Sequence, residues 1–405
     1  MLGQMAAMNM QMFARLWLMK KLTESTLVVT ATSFAHAIPL LCLSLFGGVI
    51  ADRVQKKYVM LIGQAGSAII VLGVGIALGL GFVSAERDFI ILGITIPSWS
   101  ILVAASVFQG TIMALMMPSR QAILPEIVGE EQLMNAVSLN TLGMNVLRIL
   151  APAAAGFLIE PFGYAGVYYL MSGMYVVSVV FILFLPRTST TAVGGGGALG
   201  DIKEGINYLR EQKAIILVLV FTLFAVVLSM PYMYLLPFMA EDVLHVDEAG
   251  GGLLLSISGV GAIIGSIVLA SLPNKKRGLL LVASCLILGL ALAGFSFSGF
   301  WYLSLGLMVV VGLGTTGRMT LSNTLIQYYV EDEYRGRVMS VYMMEFGLTS
   351  FGTFAAGLLA ETIDKWTDPG SAVLGVQWAL GAFAVALVAL SLVTFAFVPR
   401  IRRLD

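Results

Sequence analysis

The chain has 405 residues, of which 59% are hydrophobic and 11% charged, and its mean hydropathy is +0.94. A soluble domain carries roughly 25% charged residues, so no water-soluble fold can hide this much apolar surface. The 23 basic and 23 acidic residues cancel, which argues against a basic nucleic-acid surface or an acidic tail.

Apolar runs fall at about 1–19, 27–50, 58–82, 98–117, 133–159, 164–186, 214–239, 250–272, 278–298, 300–326, 336–360 and 371–398. A hydrocarbon core of about 30 Å needs roughly 20 apolar residues per helix, so the pattern predicts twelve membrane segments. The first is the weakest, because Gln4, Asn9, Gln11 and Arg15 interrupt it; half a helix is expected there, with Arg15 snorkelling at its outer end. The run from Phe89 is too long for one helix, and its start, Pro97 included, is assigned to an outer loop. Cys42 and Cys285 each lie in apolar runs and read as packing residues, with neither a disulfide nor a metal cluster in prospect.

Lys and Arg distribute unevenly over alternate loops. With the 51–57 loop in the cytoplasm, 16 fall on that side and 4 on the other, while Arg15, Arg148 and Arg318 lie within segments. This bias predicts a multi-pass protein of the inner cell membrane with a cytoplasmic C-terminus.

The longest polar interruption separates residues 1–186 from 214–405. Within 187–213, Leu199, Ile202, Ile206 and Leu209 recur at helical spacing, as in a helix lying on the membrane surface, and Gly194 to Gly197 form a flexible start. The two parts repeat in parallel. Residues 119–139 align with the stretch from Ser322 to Val341, and GFLIE at 156–160 matches GLLAE at 357–361. Duplicated halves around a central site are a common plan of alternating-access carriers. An all-α membrane fold of two six-helix bundles is therefore expected.

The run from Gly47 and Gly48 through Asp52 and Arg53 to Lys57 resembles the signature loop of the major facilitator superfamily. LTES at 22–25, PSRQAILPEIV at 118–128 and RGRVMS at 335–340 resemble its branch of macrolide-efflux and enterobactin-exporter proteins. The resemblance implies a secondary efflux carrier, proton-coupled or otherwise, working on a drug-like, macrolide or siderophore-like compound. Asp52 is expected to act as a conformational latch against the start of segment 11 near Arg335 and Arg337; a turn that only enforces topology is the alternative. Pro152 and Gly156 are similar to a Gly/Pro-rich antiporter motif with alanines at several glycine positions, and such small residues permit tight helix contact.

Charges inside a membrane are costly, so each needs a reason. Thr141, Asn145 and Arg148 share one helical face near mid-depth, which is expected to line a cavity between the two halves. Arg318 and Glu345 fall at equal depth on consecutive segments, which suggests a pair. Glu345 reads either as a proton-coupling site or as half of a structural ion pair, and His36 as packing or titrating. Gly312, Gly314 and Gly317 spell a dinucleotide fingerprint but follow no strand, so they read as helix packing. No catalytic cluster is evident, and no cofactor is called for. Membrane lipids, a small-molecule substrate and protons are the expected partners of a monomer. A lysophospholipid flippase or another membrane-embedded lipid-handling protein is the competing reading.

Overall fold

The computed structural model describes residues 2–85, 88–91, 94–186, 208–210, 212–273, 275–331, 334, 338–339, 341–342, 344–367 and 373–404. Its helices are α1 (Leu2–Thr23), α2 (Thr26–Arg53), α3 (Lys56–Gly79), α4 (Ser100–Leu183), α5 (Lys213–Ser229), α6 (Pro231–Phe238), α7 (Glu248–Ser271), α8 (Arg277–Ser296), α9 (Trp301–Tyr329), α10 (Glu345–Thr367), α11 (Val373–Phe397) and α12 (Pro399–Arg402). A wider π turn, Met239–Val243, follows α6. The amphipathic helix expected within 187–213 lies almost wholly outside the described residues.

Among the described residues, nine stretches are long and apolar enough to cross a membrane, and one of them, Leu142–Leu183, has 42 residues. At 1.5 Å per residue that stretch is about 63 Å long, enough for two crossings. Helices α1 and α10 add 22 and 23 residues. Their polar and charged side chains keep them off the apolar count, yet each has the length of a span. Helix α1 is thus longer than the half helix expected of it. Where an outer loop is expected, β1 (Asp88–Ile91) and β2 (Ile94–Pro97) pair as antiparallel strands, Asp88 with Pro97 and Ile91 with Ile94.

The chain forms two compact units. The first comprises residues 1–24, 32–195 and 247–253; the second comprises 25–31, 196–246 and 254–405.

In the first unit, the helical run of α4 folds back on itself. A straight helix of its 84 residues would extend about 126 Å, yet Gln109 Nε2 donates to the Tyr175 hydroxyl at 3.2 Å. Gly163, at φ +65°, is where the backbone leaves the right-handed helical region. Helix α1 runs antiparallel to the start of α4: Arg15 meets Ser106, and eleven residues earlier Gln4 meets Met116. Residues Met60, Met116, Ile123 and Ile182 close an apolar cluster at one end of the unit.

In the second unit, the glycines of α9 do what small residues in membrane helices do, which is to let backbones touch. A Cβ at Gly312 would strike the Ser258 carbonyl of α7, one at Gly314 would meet Leu288 of α8 at 2.8 Å, and one at Gly317 would strike the Ser284 hydroxyl. The fingerprint-like glycines are a packing seam for two neighbouring helices.

Candidate substrate and coupling site

Helix α10 begins with Glu345, which is 6% exposed. Residues 338–339 and 341–342 ahead of it are also helical, but the continuous helix starts at Glu345, where a carboxylate favours the positive end of the helix dipole. Thr222 of α5 donates to its Oε1 at 2.6 Å. The same hydroxyl oxygen lies 2.9 Å from the Val218 carbonyl of its own helix. A hydroxyl has one proton, so it can serve only one of these acceptors at a time.

Arg318 on α9 is 3% exposed, and its Nε is buried without a partner. Gly317 places it against α8, so that its charge acts on Cys285 as well as on Tyr342 and Glu345. No direct ion pair joins Arg318 to Glu345 among the described residues. The expected partnership is a longer-range one, and the hydrogen bond from Thr222 takes the place of the fork. Ser322 and Tyr342 complete the cluster, with their hydroxyl oxygens 3.1 Å apart.

The first unit holds a second polar interior. Gln4, Gln11 and Arg15 occupy one face of α1 at spacings of seven and four, and all are buried. Arg15 Nη1 donates to Ser106 Oγ at 2.8 Å, so Arg15 does not snorkel. Half-buried His36 faces the Ser106 backbone beside Arg15. Gln109 bridges Ser67 of α3 and Tyr175 of α4, each at 3.2 Å. Arg148 is exposed, Asn145 is half-buried, and the Thr141 side chain is outside the description. The structure therefore brings His36 toward a site built around Arg15, which the sequence reading assigned to snorkelling, and Ser106, which it passed over. Their signal was the polar face at Gln4, Gln11 and Arg15.

Two further clusters involve the first turns of α2 and α7. Ser25, the last residue of LTES, accepts a hydrogen bond from Val28 N and donates to Glu361 Oε2 at 2.6 Å; Leu27 N donates to the same oxygen at 3.2 Å. Lys365 reaches the other carboxylate oxygen at 3.3 Å. In the first unit Glu248 pairs with Lys21 and accepts from the Tyr164 hydroxyl at 3.0 Å. The repeat-related glycines of GFLIE and GLLAE serve both places: Gly156 seats the Glu248 carbonyl and Gly357 seats the Thr30 hydroxyl. Pro152 packs with Gly156 there, its carbonyl 2.7 Å from where a Cβ of Gly252 would stand. The Asp52 latch lies outside the description: the side chains of Gly47 through Arg53 are not described, nor are Arg335 and Arg337.

The profile of the Major Facilitator Superfamily matches residues 1–353 and again 252–404. The chain belongs to the major facilitator superfamily. This facilitator is 23% identical over 347 residues to a staphyloferrin A transporter of Staphylococcus aureus, covering 85% of this chain and 84% of that one. It is 25% identical over 358 residues to macrolide efflux protein A of Streptococcus pyogenes, covering 84% of each. It is 24% identical over 329 residues to the enterobactin exporter EntS of Escherichia coli, covering 79% and 74%. The fold matches a D-xylose-proton symporter with a TM-score of 0.72 at 13% identity, over 99% of this chain and 97% of the other. It matches the nucleoside transporter NupG with a TM-score of 0.68 at 14% identity, over 98% of each. Family and fold are those of multi-pass membrane transporters, not of enzymes.

Proposed function

We propose that the protein is a secondary active exporter of a small drug-like, macrolide or siderophore-like molecule, working by alternating access and coupled to protons. It acts as a monomer in the inner cell membrane with its C-terminus in the cytoplasm. Relatives named as macrolide and enterobactin exporters support the direction and the cargo range.

The observation that carries proton coupling is the geometry at Glu345. When the carboxylate is charged, the Thr222 hydroxyl donates to it. When it is protonated, it can donate to Thr222 Oγ1, and the hydroxyl proton turns to the Val218 carbonyl 2.9 Å away. Both protonation states are thus hydrogen-bonded, which lets a buried carboxyl load and release a proton without an unpaired polar group.

The test is uptake into inverted membrane vesicles, where cell export becomes accumulation, with and without a pH gradient, over a panel of macrolides and siderophores. Gradient-dependent movement that Glu345→Gln abolishes is expected. Movement of lysophospholipids alone would favour a flippase and sink the exporter reading.

A further inference from the structure

We propose that Arg15, His36 and Ser106 form an anion subsite within the first unit that takes a carboxylate group of the cargo. Three helices converge on Ser106. Helix α1 brings Arg15, whose Nη1 donates to the Ser106 hydroxyl at 2.8 Å. Helix α2 brings His36, and it can approach only because α4 carries Gly110 one turn after Ser106: any Cβ there would strike the His36 carbonyl. The Ser106 hydroxyl is itself anchored to the Leu102 carbonyl at 2.6 Å.

The site has charge without compensation. Arg15 is 8% exposed, and among the described residues no carboxylate stands within ion-pair distance of it. Its Nε is buried and unpartnered, and so is Nδ1 of the adjacent His36. A buried guanidinium that lacks an acid is costly to keep, and so is every unmade hydrogen bond beside it. A ligand that brings the missing negative charge removes both penalties.

The free groups also select the shape of that ligand. Ser106 occupies an Nη donor at one end of the guanidinium, leaving the Nε side of the fork open. Two parallel N–H bonds from that edge match a planar carboxylate. The His36 ring donates through its other nitrogen to the Ser106 backbone, so its unpartnered Nδ1 is an acceptor that a hydroxyl of the same ligand can fill. Gln109, one turn along α4 from Ser106, also holds a buried amide oxygen without a partner, so a neutral polar group of the same ligand has a place to bond.

This inference rests on the exporter reading only for the role of the anion as cargo. Binding itself is tested on the full-length protein purified into lipid nanodiscs, by following thermal unfolding with citrate as the carboxylate probe. Trimethyl citrate serves as the uncharged control and sodium chloride matches the ionic strength. Citrate is expected to raise the unfolding midpoint and its trimethyl ester to leave it unchanged. Arg15→Gln is expected to remove the response. Arg15→Lys, which keeps the charge but not the fork, is expected to weaken apparent citrate affinity about tenfold or more. If Arg15→Gln protein cannot be recovered, the lysine variant decides. Equal responses to citrate and to its ester, or an unchanged affinity in Arg15→Lys, overturn the subsite. Vesicle export by the wild type is read separately: export that survives Arg15→Gln refutes the subsite and leaves the carrier standing. A citrate response without any export supports the subsite and refutes the carrier.

Discussion

Thr222 Oγ1 lies 2.6 Å from Glu345 Oε1, joining α5 to the first residue of α10 across 123 positions of sequence. Glu345→Gln keeps an acceptor for that hydroxyl and removes the titration. The variant is expected to fold with a near-wild-type unfolding midpoint and to lose pH-gradient-driven export in vesicles. Thr222→Val leaves the carboxylate buried without its donor. It should lower stability by about 1–3 kcal/mol, read as a fall in the midpoint of purified protein.

Ser25 caps α2 and holds Glu361 with the same side chain. Ser25→Ala is expected to cost about 1 kcal/mol for the cap and a further ~1.5 kcal/mol for the charge-assisted bond. Adding Glu361→Gln to Ser25→Ala should cost less than its effect alone, because the two share one interaction. A double-mutant cycle on the unfolding midpoint measures that coupling, and strict additivity would contradict the contact.

Much of the fold was legible because membrane helices announce themselves by length and apolarity. The predicted segments 250–272 and 278–298 fall within two residues of α7 and α8, and the packing role of Gly312, Gly314 and Gly317 follows from small size alone. The β1–β2 pairing was not legible, since a short apolar strand reads like the edge of a helix. Among site residues, Glu345 and Arg318 stood out as charges in apolar runs. Thr222 did not, because one threonine in an apolar helix commonly bonds its own backbone, as this one also can. Arg15 was misplaced because a residue's depth and facing depend on its neighbours. Snorkelling and burial look alike until Ser106 is known to stand opposite.

Arg148 offers the contrast to these buried groups. It is exposed, and no ion pair or hydrogen bond holds its side chain among the described residues. Arg148→Ala removes a charge from a membrane segment without breaking a contact, so it should not lower stability. If its helical face meets the cargo, export falls while the unfolding midpoint holds. A large drop in midpoint would instead make Arg148 a structural residue.

The repeat-related glycines give the last prediction. Gly156 faces backbone, the Glu248 carbonyl, whereas Gly357 faces the Thr30 side chain. Backbone cannot move aside as a side chain can, so equal substitutions should have unequal effects. Gly156→Ala is expected to destabilise by about 1–3 kcal/mol, the usual range for overpacking. Gly357→Ala is expected to cost less, and Gly357→Ala combined with Thr30→Gly to recover much of that loss, because the double change removes the whole obstructing side chain, its Cβ at 2.7 Å included. Unfolding midpoints of the four proteins, wild type included, check the order. A Gly357→Ala variant as damaged as Gly156→Ala, with no recovery in the Thr30→Gly double variant, would show that the contact at Gly357 is set by backbone after all.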